Sequence, residues 1–235
     1  MQQEPSIESI KEMITQGNEL LKNNQAEKAI LLFKDIVKVK PNYANAYNCL
    51  GSAYMQIDDV DKAVDAYKAA CKIKPDFAEA HNNIGIAYEM RGKLDLAIEE
   101  YKSAIRFKPD FSDAYYNLGI TYYMQENWQE AANNWKKVIE INPKNFQAHN
   151  NLAGAYVKMK QTSNAIIQWE ILLSINPEHA NAYYSLGYLY EDKKDIKNAL
   201  KNFETFIEKA KEKNFKELRK VAKEKIRELD QNLGN

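Results

Sequence analysis

Apolar and small side chains recur along this chain at two spacings, one of three or four residues and one of 34 residues. When Ile10 is taken as position 1 of a 34-residue repeat, position 20 is alanine and position 24 is aromatic in all six copies. Position 7 is aliphatic and position 11 is tyrosine in five of the six. Positions 4, 7, 8 and 11 share one helical face, and positions 20, 24, 27 and 28 share another. Each repeat is therefore predicted to form two amphipathic helices.

Prolines and glycines recur with the same period as the apolar residues. Proline occupies position 32, where it ends the second helix of the repeat, at Pro41, Pro75, Pro109, Pro143 and Pro177. Glycine occupies position 8, inside the first helix, at Gly17, Gly51, Gly85, Gly119 and Gly187. A glycine inside a helix costs about 1 kcal/mol relative to alanine. We therefore expect a compensating close approach between this glycine and the alanine at position 20.

The repeat spacing also predicts how the chain is divided. Residues 1–9 form an N-terminal extension, and residues 214–235 form a C-terminal capping helix. The six repeats span 10–43, 44–77, 78–111, 112–145, 146–179 and 180–213. One apolar stripe on the capping helix consists of Phe215, Leu218, Ala222, Ile226, Leu229 and Leu233. Because stacked repeats share one core and need polar ends, we expect this helix to cover the open end of the sixth repeat.

The residues at positions 8, 11, 20, 24 and 32 resemble the signature of the tetratricopeptide repeat family. The terminal repeats depart from it, with Gln16 at an aliphatic slot, Leu20 in place of tyrosine and Lys211 in place of proline. The resemblance covers residues 10–213. It implies an all-α fold, namely an α-solenoid in which six helix-turn-helix repeats form a right-handed superhelix closed by the C-terminal capping helix.

Composition and charge exclude several classes of function. The 33 Lys and Arg residues balance the 33 Asp and Glu residues, which argues against a nucleic-acid-binding protein with its usual basic face. A membrane-spanning helix needs about 20 apolar residues, and the apolar runs here are far shorter, so no span is expected. The first nine residues lack the basic start and apolar core of a signal peptide. We therefore expect a cytoplasmic protein.

The sequence contains no motif for catalysis or cofactor binding. A glycine-rich phosphate loop, HExxH and GxSxG are all missing. Cys49 and Cys71 are too few for a zinc site or a disulfide framework, and they are expected to be free thiols. His81 and His149 occupy position 4, where a role in helix packing is expected. We expect no enzymatic activity, no cofactor and no metal.

Candidate binding residues lie on the first helix of each repeat. In tetratricopeptide solenoids, positions 2, 5, 6, 9, 12 and 13 of this helix build the inner surface. Asn83, Asn117 and Asn151 at position 6 look like the asparagine ladder that grips peptide backbone in O-linked N-acetylglucosamine transferases. An amide can match one peptide unit with a donor and an acceptor. The candidate groove residues are Asn48, Asn82, Asn83, Ile86, Tyr116, Asn117, Ile120, Tyr123, Asn150, Asn151, Val157, Tyr184 and Tyr188.

Each kind of candidate also has a structural interpretation. Asparagine is frequent at position 6 throughout the family, and its amide can bond within its own helix pair. The aliphatic and tyrosine side chains can be partly buried against the neighbouring second helix. The sequence leaves these alternatives open.

The resemblance implies a protein-protein interaction module that binds an extended peptide segment of a partner in its groove. The alternative is a self-assembling scaffold of a larger bacterial complex, associated with an organelle, a pilus or secretion, in which copies of the chain form a homo-oligomer. Family members that hold the C-terminal carboxylate of Hsp70 or Hsp90 use Lys or Arg at positions 2, 5 and 6. Positions 5 and 6 carry neither residue here, so we do not expect a carboxylate clamp.

Overall fold

The computed structural model of the chain describes residues 6–233, and the regular secondary structure in this range is helical, without a β-strand. It contains thirteen α-helices, α1 to α13, and a 3-10 turn, Lys213–Phe215, before the last of them. The helices are Ile7–Lys22, Ala26–Val39, Ala44–Gln56, Val60–Ile73, Ala78–Met90, Leu94–Phe107, Ser112–Met124, Trp128–Ile141, Phe146–Lys158, Thr162–Ile175, Ala180–Asp192, Ile196–Lys209 and Lys216–Leu233. The predicted all-α class, with six helix pairs and a final helix, is confirmed.

The helices belong to two compact units. The N-terminal unit ends at Gln125 and contains α1 to α7, and the C-terminal unit begins at Glu126 and contains α8 to α13. The predicted repeat 112–145 contributes one helix to each. From the second repeat onward, the first helix begins at the first residue of the predicted repeat, at Ala44, Ala78, Ser112, Phe146 and Ala180. In the first repeat, α1 instead begins at Ile7, where the Ser6 hydroxyl accepts from the Ser9 N–H.

Position 15 of every repeat, in the turn between its two helices, adopts the left-handed backbone conformation. The φ angles lie between 55° and 68° for Asn24, Asp58, Gly92, Glu126, Lys160 and Lys194. This conformation ends a helix by letting the N–H that follows bond back to its last turn. In the second repeat, for example, the Asp59 N–H donates to the Tyr54 carbonyl at 3.0 Å. Only one of the six residues is glycine, so the sequence signal for this turn is weak.

The glycine at position 8 makes a close approach, but its partner differs from the one predicted. A Cβ atom placed on Gly85 would lie 2.6 Å from Cε1 of the Tyr101 ring, and one placed on Gly51 would lie 2.5 Å from the Tyr67 ring. Gly17 and Gly187 face the position-24 ring of their own repeats in the same way. The expectation that position 20 is the close partner is therefore wrong. The glycine makes room for the aromatic ring at position 24.

The last helix, α13, covers the end of α12, as predicted from its apolar stripe. Ala222 and Leu229 are buried in one cluster with Phe203 and Phe206 of α12. Phe215, Leu218 and Ile226 pack against the same cluster, whereas the Leu233 side chain lies outside the described part of the structure. Lys225 of this helix also forms an ion pair with Glu191 of α11 at 2.8 Å. No helix within residues 6–233 has the length and apolar character needed to cross a bilayer.

The two histidines at position 4 form hydrogen bonds through both ring nitrogens, one with the neighbouring helix and one with the turn that precedes their own helix. His81 Nδ1 lies 2.7 Å from Glu100 Oε2, and its Nε2 lies 3.0 Å from the Pro75 carbonyl. His149 repeats this geometry with Gln168 at 2.8 Å and the Pro143 carbonyl at 3.1 Å. The predicted packing role is thereby refined, because both rings also carry hydrogen bonds. Hydrogen bonds with Cys71 and then with Glu100 raise the pKa of His81 to about 10.

We expect the stabilising effect of His81 to decrease as the pH rises. A pKa raised above the unfolded value of about 6.5 stabilises the fold fully below that pH, and the effect is lost as the pH passes through the folded pKa of about 10. Urea titrations of the parent and of His81→Gln should therefore differ most at pH 6 and least at pH 10. His149→Gln is the control, since Gln168 carries no charge. A difference that stays constant between pH 6 and pH 10 would refute the charged pairing.

Candidate binding face

We define the inner face as the surface at positions 2, 5, 6, 9, 12 and 13 of the first helix in each repeat. The structure divides the candidate residues on this face between its two units. The N-terminal unit contains Asn48, Asn82, Asn83, Ile86, Tyr116, Asn117, Ile120 and Tyr123. The C-terminal unit contains Asn150, Asn151, Val157, Tyr184 and Tyr188. The sequence analysis groups these residues as one set, whereas they belong to two compact units.

In the N-terminal unit, the asparagines are paired between neighbouring repeats. Asn83 Nδ2 on α5 donates to Asn48 Oδ1 on α3 at 3.0 Å. Asn117 Nδ2 on α7 donates to Asn82 Oδ1 on α5, also at 3.0 Å. In both cases the amide at position 6 bonds to the amide at position 5 of the preceding repeat. These side chains therefore link adjacent repeats by hydrogen bonds, and do not bond within their own helix pair as the structural interpretation assumed.

This pairing leaves binding capacity on the position-6 amides. A side-chain amide has two N–H donors and a carbonyl oxygen with two lone pairs, and the inter-repeat bond uses one N–H. Asn83 and Asn117 are only half-buried, whereas the acceptor Asn82 is 6% exposed. The amides at position 6 thus combine a structural bond with polar groups near the surface.

The other candidates of the N-terminal unit are half-buried. Ile86 packs against a core cluster that includes Ile98, Tyr101 and Leu118, so part of its surface belongs to the core. Ile120, Tyr116 and Tyr123 have the same intermediate exposure. Cys49, at position 6 of the second repeat, is buried, and burial raises the pKa of its thiol to about 11. Both cysteines of the chain are free thiols, as predicted.

In the C-terminal unit, the two tyrosine candidates are engaged in packing. The Tyr184 ring lies 4.9 Å from Phe206, and the Tyr188 ring lies 5.1 Å from Phe203, between ring centroids. The two tyrosine hydroxyls lie 3.3 Å apart. Burial and then the hydrogen bond with Tyr188 raise the pKa of Tyr184 to about 12. This geometry favours the structural interpretation, in which the tyrosine side chains are partly buried against the second helix of the repeat.

The asparagine and valine candidates of the C-terminal unit differ in their surroundings. Asn150 Oδ1 accepts a hydrogen bond from the indole N–H of Trp169 at 3.2 Å, which fixes this amide within its own repeat. Asn151 is half-buried, and Val157 is 39% exposed. The valine is thus the most accessible apolar candidate of this unit.

One glutamate of the inner face makes a polar contact that sequence reasoning missed. The Thr121 hydroxyl on α7 lies 2.5 Å from Glu89 Oε2 on α5. Both residues belong to the N-terminal unit, and Glu89 occupies position 12, one of the inner-face positions. The contact joins different positions of adjacent repeats, so comparing each repeat position separately does not reveal it.

Comparisons with protein families agree with the repeat architecture. A TPR repeat model matches residues 53–92 and 90–126. Three further models, each described as a tetratricopeptide repeat, match residues 112–145, 134–167 and 180–211. The chain belongs to the tetratricopeptide repeat family. None of these matching models describes an enzyme, and a comparison with curated proteins returns no significant match.

Solved structures of other tetratricopeptide repeat proteins are similar over most of the chain. A MamA protein is 30% identical with a TM-score of 0.67, and the match covers 74% of this chain and 95% of MamA. YrrB, described as a TPR protein with an unusual peptide-binding site, is 20% identical with a TM-score of 0.70 and coverages of 82% and 97%. PilF of Pseudomonas aeruginosa is 17% identical with a TM-score of 0.73 and coverages of 83% and 89%. The last two establish similarity of fold alone.

Proposed function

We propose that this chain is a non-catalytic interaction module that holds an extended segment of a partner protein along the inner face. The observation that carries the proposal is the pair of amides at position 6 of the N-terminal unit. Asn83 and Asn117 occur one repeat apart, and each is held by one bond to the preceding repeat. An amide fixed in this way can offer a carbonyl oxygen and an N–H to a peptide backbone with little further loss of side-chain entropy.

The residues around these amides suit the side chains of a bound segment. Ile86 and Ile120 at position 9 present aliphatic surface, while Tyr116 and Tyr123 add rings with polar ends, a combination enriched in protein interfaces. In the C-terminal unit, Asn151 and Val157 are the corresponding candidates. Because backbone amides are the same in every sequence, we assign specificity to the apolar and tyrosine residues.

The test compares two double variants that break the same two inter-repeat bonds. Asn83→Ala with Asn117→Ala removes the donors, which are also the proposed ligands of the peptide. Asn48→Ala with Asn82→Ala removes the acceptors and leaves both position-6 amides in place. A hydrogen bond contributes about 0.5–1.5 kcal/mol, so we expect the donor variant to bind peptide about five- to a hundredfold more weakly than the acceptor variant.

The probe is the tightest binder from a displayed library of random twelve-residue peptides selected on the purified chain. Both variants lose the same two inter-repeat hydrogen bonds, and thermal melts measure how much this loss lowers their stability. Equal affinities for the two variants would show that the position-6 amides are only structural. Failure to select any peptide would reject the groove itself.

Self-assembly is the second candidate function. Ile167 and Ile171 lie one turn apart on α10 with exposed fractions of 48% and 37%, and paired exposed isoleucines favour contact with a second copy. We expect light scattering across a range of concentrations to show a mass above the monomer that Ile167→Lys reduces. A constant monomer mass would contradict the scaffold.

A further inference from the structure

Glu89, on the inner face of the N-terminal unit, differs in its charge partners from the equivalent glutamate of the sixth repeat. Within residues 6–233, Glu89 forms no ion pair with Lys or Arg. Glu191 occupies the same position 12 in the sixth repeat, and there Lys225 of the final helix binds it at 2.8 Å. Among the described residues, a lysine therefore pairs with Glu191, and no Lys or Arg pairs with Glu89.

Thr121 fixes the orientation of the Glu89 carboxylate. This threonine is fully buried, and its hydroxyl lies 2.5 Å from Glu89 Oε2 and 3.0 Å from the Asn117 carbonyl. A hydroxyl has one proton, and the charged acceptor at the shorter distance receives it, because bonds to carboxylates are short and strong. Position 10 is alanine in the second, third and fifth repeats, so this donor is particular to the fourth.

The N-terminal unit also contains a second buried hydroxyl, that of Tyr101. Tyr101 is fully buried, and its hydroxyl has no hydrogen-bond partner among the described residues. In the preceding repeat, the equivalent Tyr67 pairs with Ser52 at 3.2 Å, but the third repeat has Ile86 at the serine position.

The charge of Glu89 contributes to the electrostatics of Tyr101. Its pKa lies well above the usual range, first because of burial and then because of the negative charge of Glu89, while the Thr121 hydroxyl acts in the opposite direction. Polar groups are normally satisfied in folded proteins, and the Glu89 carboxylate keeps acceptor capacity that no Lys or Arg within residues 6–233 uses.

We propose that Glu89 binds a lysine or arginine side chain of the partner segment, an inference that rests on the peptide-binding function proposed above. A carboxylate held by one donor keeps acceptor sites for an ammonium or guanidinium group. Met90 and Met124, at position 13 of the third and fourth repeats, are 55% and 53% exposed. These methionines are one position after that of Glu89 in the repeat, and their apolar side chains could pack against the methylene groups of a long basic side chain.

The partner is therefore a protein segment that places one basic residue at the register of the third repeat. Asn83 is at position 6 of the third repeat, which also contains Glu89, and Asn117 is at position 6 of the fourth repeat. Backbone bonds to these amides would set the position of the segment, and the ion pair would select its side chain. Selectivity for a basic residue then arises from Glu89 of the third repeat, which forms the ion pair, and from Thr121 of the fourth repeat, which orients its carboxylate.

The experiment uses random twelve-residue peptides displayed on phage and selected on the purified chain. We expect the selected peptides to share a lysine or arginine at one position. The best peptide is then synthesised with that residue intact and with a neutral replacement, norleucine for lysine or citrulline for arginine. Glu89→Gln and the neutral peptide should each weaken binding roughly ten- to a hundredfold, and the two changes together should cost little more than either alone.

Two variants serve as controls for charge and orientation. Glu99→Gln on α6 removes the same charge from an exposed glutamate that pairs with Lys102 at 3.3 Å, and it should change affinity less than twofold. Thr121→Val keeps the side-chain volume but removes the hydroxyl. It should weaken binding of the basic peptide more than binding of its neutral analogue, which a merely structural role would not do.

The outcomes separate this inference from the function on which it rests. Selected peptides without a shared basic residue, or a Glu89→Gln variant that binds them like the parent, would overturn the ion pair while peptide binding stands. Thermal melts of every variant identify a loss of affinity caused by unfolding. If no peptide is selected, both proposals fall.

Discussion

Gly85→Ala is expected to lower the free energy of unfolding by about 2–3 kcal/mol, although it adds a single methyl group. The new Cβ would lie 2.6 Å, 2.7 Å and 2.9 Å from three carbon atoms of the Tyr101 ring. That ring is fully buried, so it cannot move aside without disturbing the helices around it. For a chain of this length, the melting temperature should fall by about 4–12 °C, and Gly85→Leu should destabilise further.

Gly154→Ala is the matched control for this substitution. Gly154 is also inside the first helix of a repeat, but no atom lies within 4 Å of a Cβ placed there. The alanine should therefore raise stability by about 0.5–1 kcal/mol through its higher helix propensity. In addition, Tyr101→Leu should lower the free energy of unfolding less in the Gly85→Ala variant than in the parent, because the smaller side chain relieves the clash. Equal melting temperatures for Gly85→Ala and the parent would refute the close approach.

The helices could be predicted from the sequence because their signals repeat. Alanine at position 20 and an aromatic at position 24 occur in all six repeats, and proline at position 32 occurs in five. These positions therefore fix the helix register despite Lys211 in the sixth repeat and Gln16 and Leu20 in the first. The partner of the glycine at position 8 was predicted wrongly. Helical periodicity tells which positions share a face, but the depth to which a ring penetrates depends on how the two helices cross.

The candidate site was less predictable because its contacts join different positions of neighbouring repeats. Asn83 bonds to Asn48, and Asn117 bonds to Asn82, both across a sequence distance of 35 residues. A comparison of equivalent positions groups residues 34 apart, so it suggested a ladder of position-6 amides instead of these pairs. The repeated spacing of 35 between asparagines was the available signal.

The Glu89 and Thr121 contact has no repeated signal at all. Threonine occurs at position 10 in one repeat, and glutamate at position 12 is shared only with Glu191. Only the packing of α5 against α7 brings the two side chains together. A feature that occurs once in a repeat protein is informative about specificity, because the repeated features are sufficient for the fold.

Removal of residues 212–235 is expected to cause the chain to associate and to lower its melting temperature. The deletion uncovers Phe206 and Ala210, both fully buried, and it removes Phe215, whose ring lies 6.0 Å from that of Phe206. Burial stabilises by about 25 cal/mol for each Å² of apolar surface, so losing the contacts of Phe206 and Ala210 with the apolar side chains of the final helix should remove several kcal/mol. Solenoids whose ends expose such surface need a polar cap to stay soluble.

Lys225→Met separates the electrostatic role of this helix from its apolar one. It removes the half-buried ion pair with Glu191 but leaves Ala222 and Leu229 in place, and a partly exposed pair contributes at most about 1 kcal/mol. Light scattering should therefore show a mass that grows with concentration for the deletion, while Lys225→Met keeps the mass of the parent. A deleted chain that stays monomeric and melts with the parent would mean that the apolar contacts of α13 contribute little, and that this helix is available for another partner.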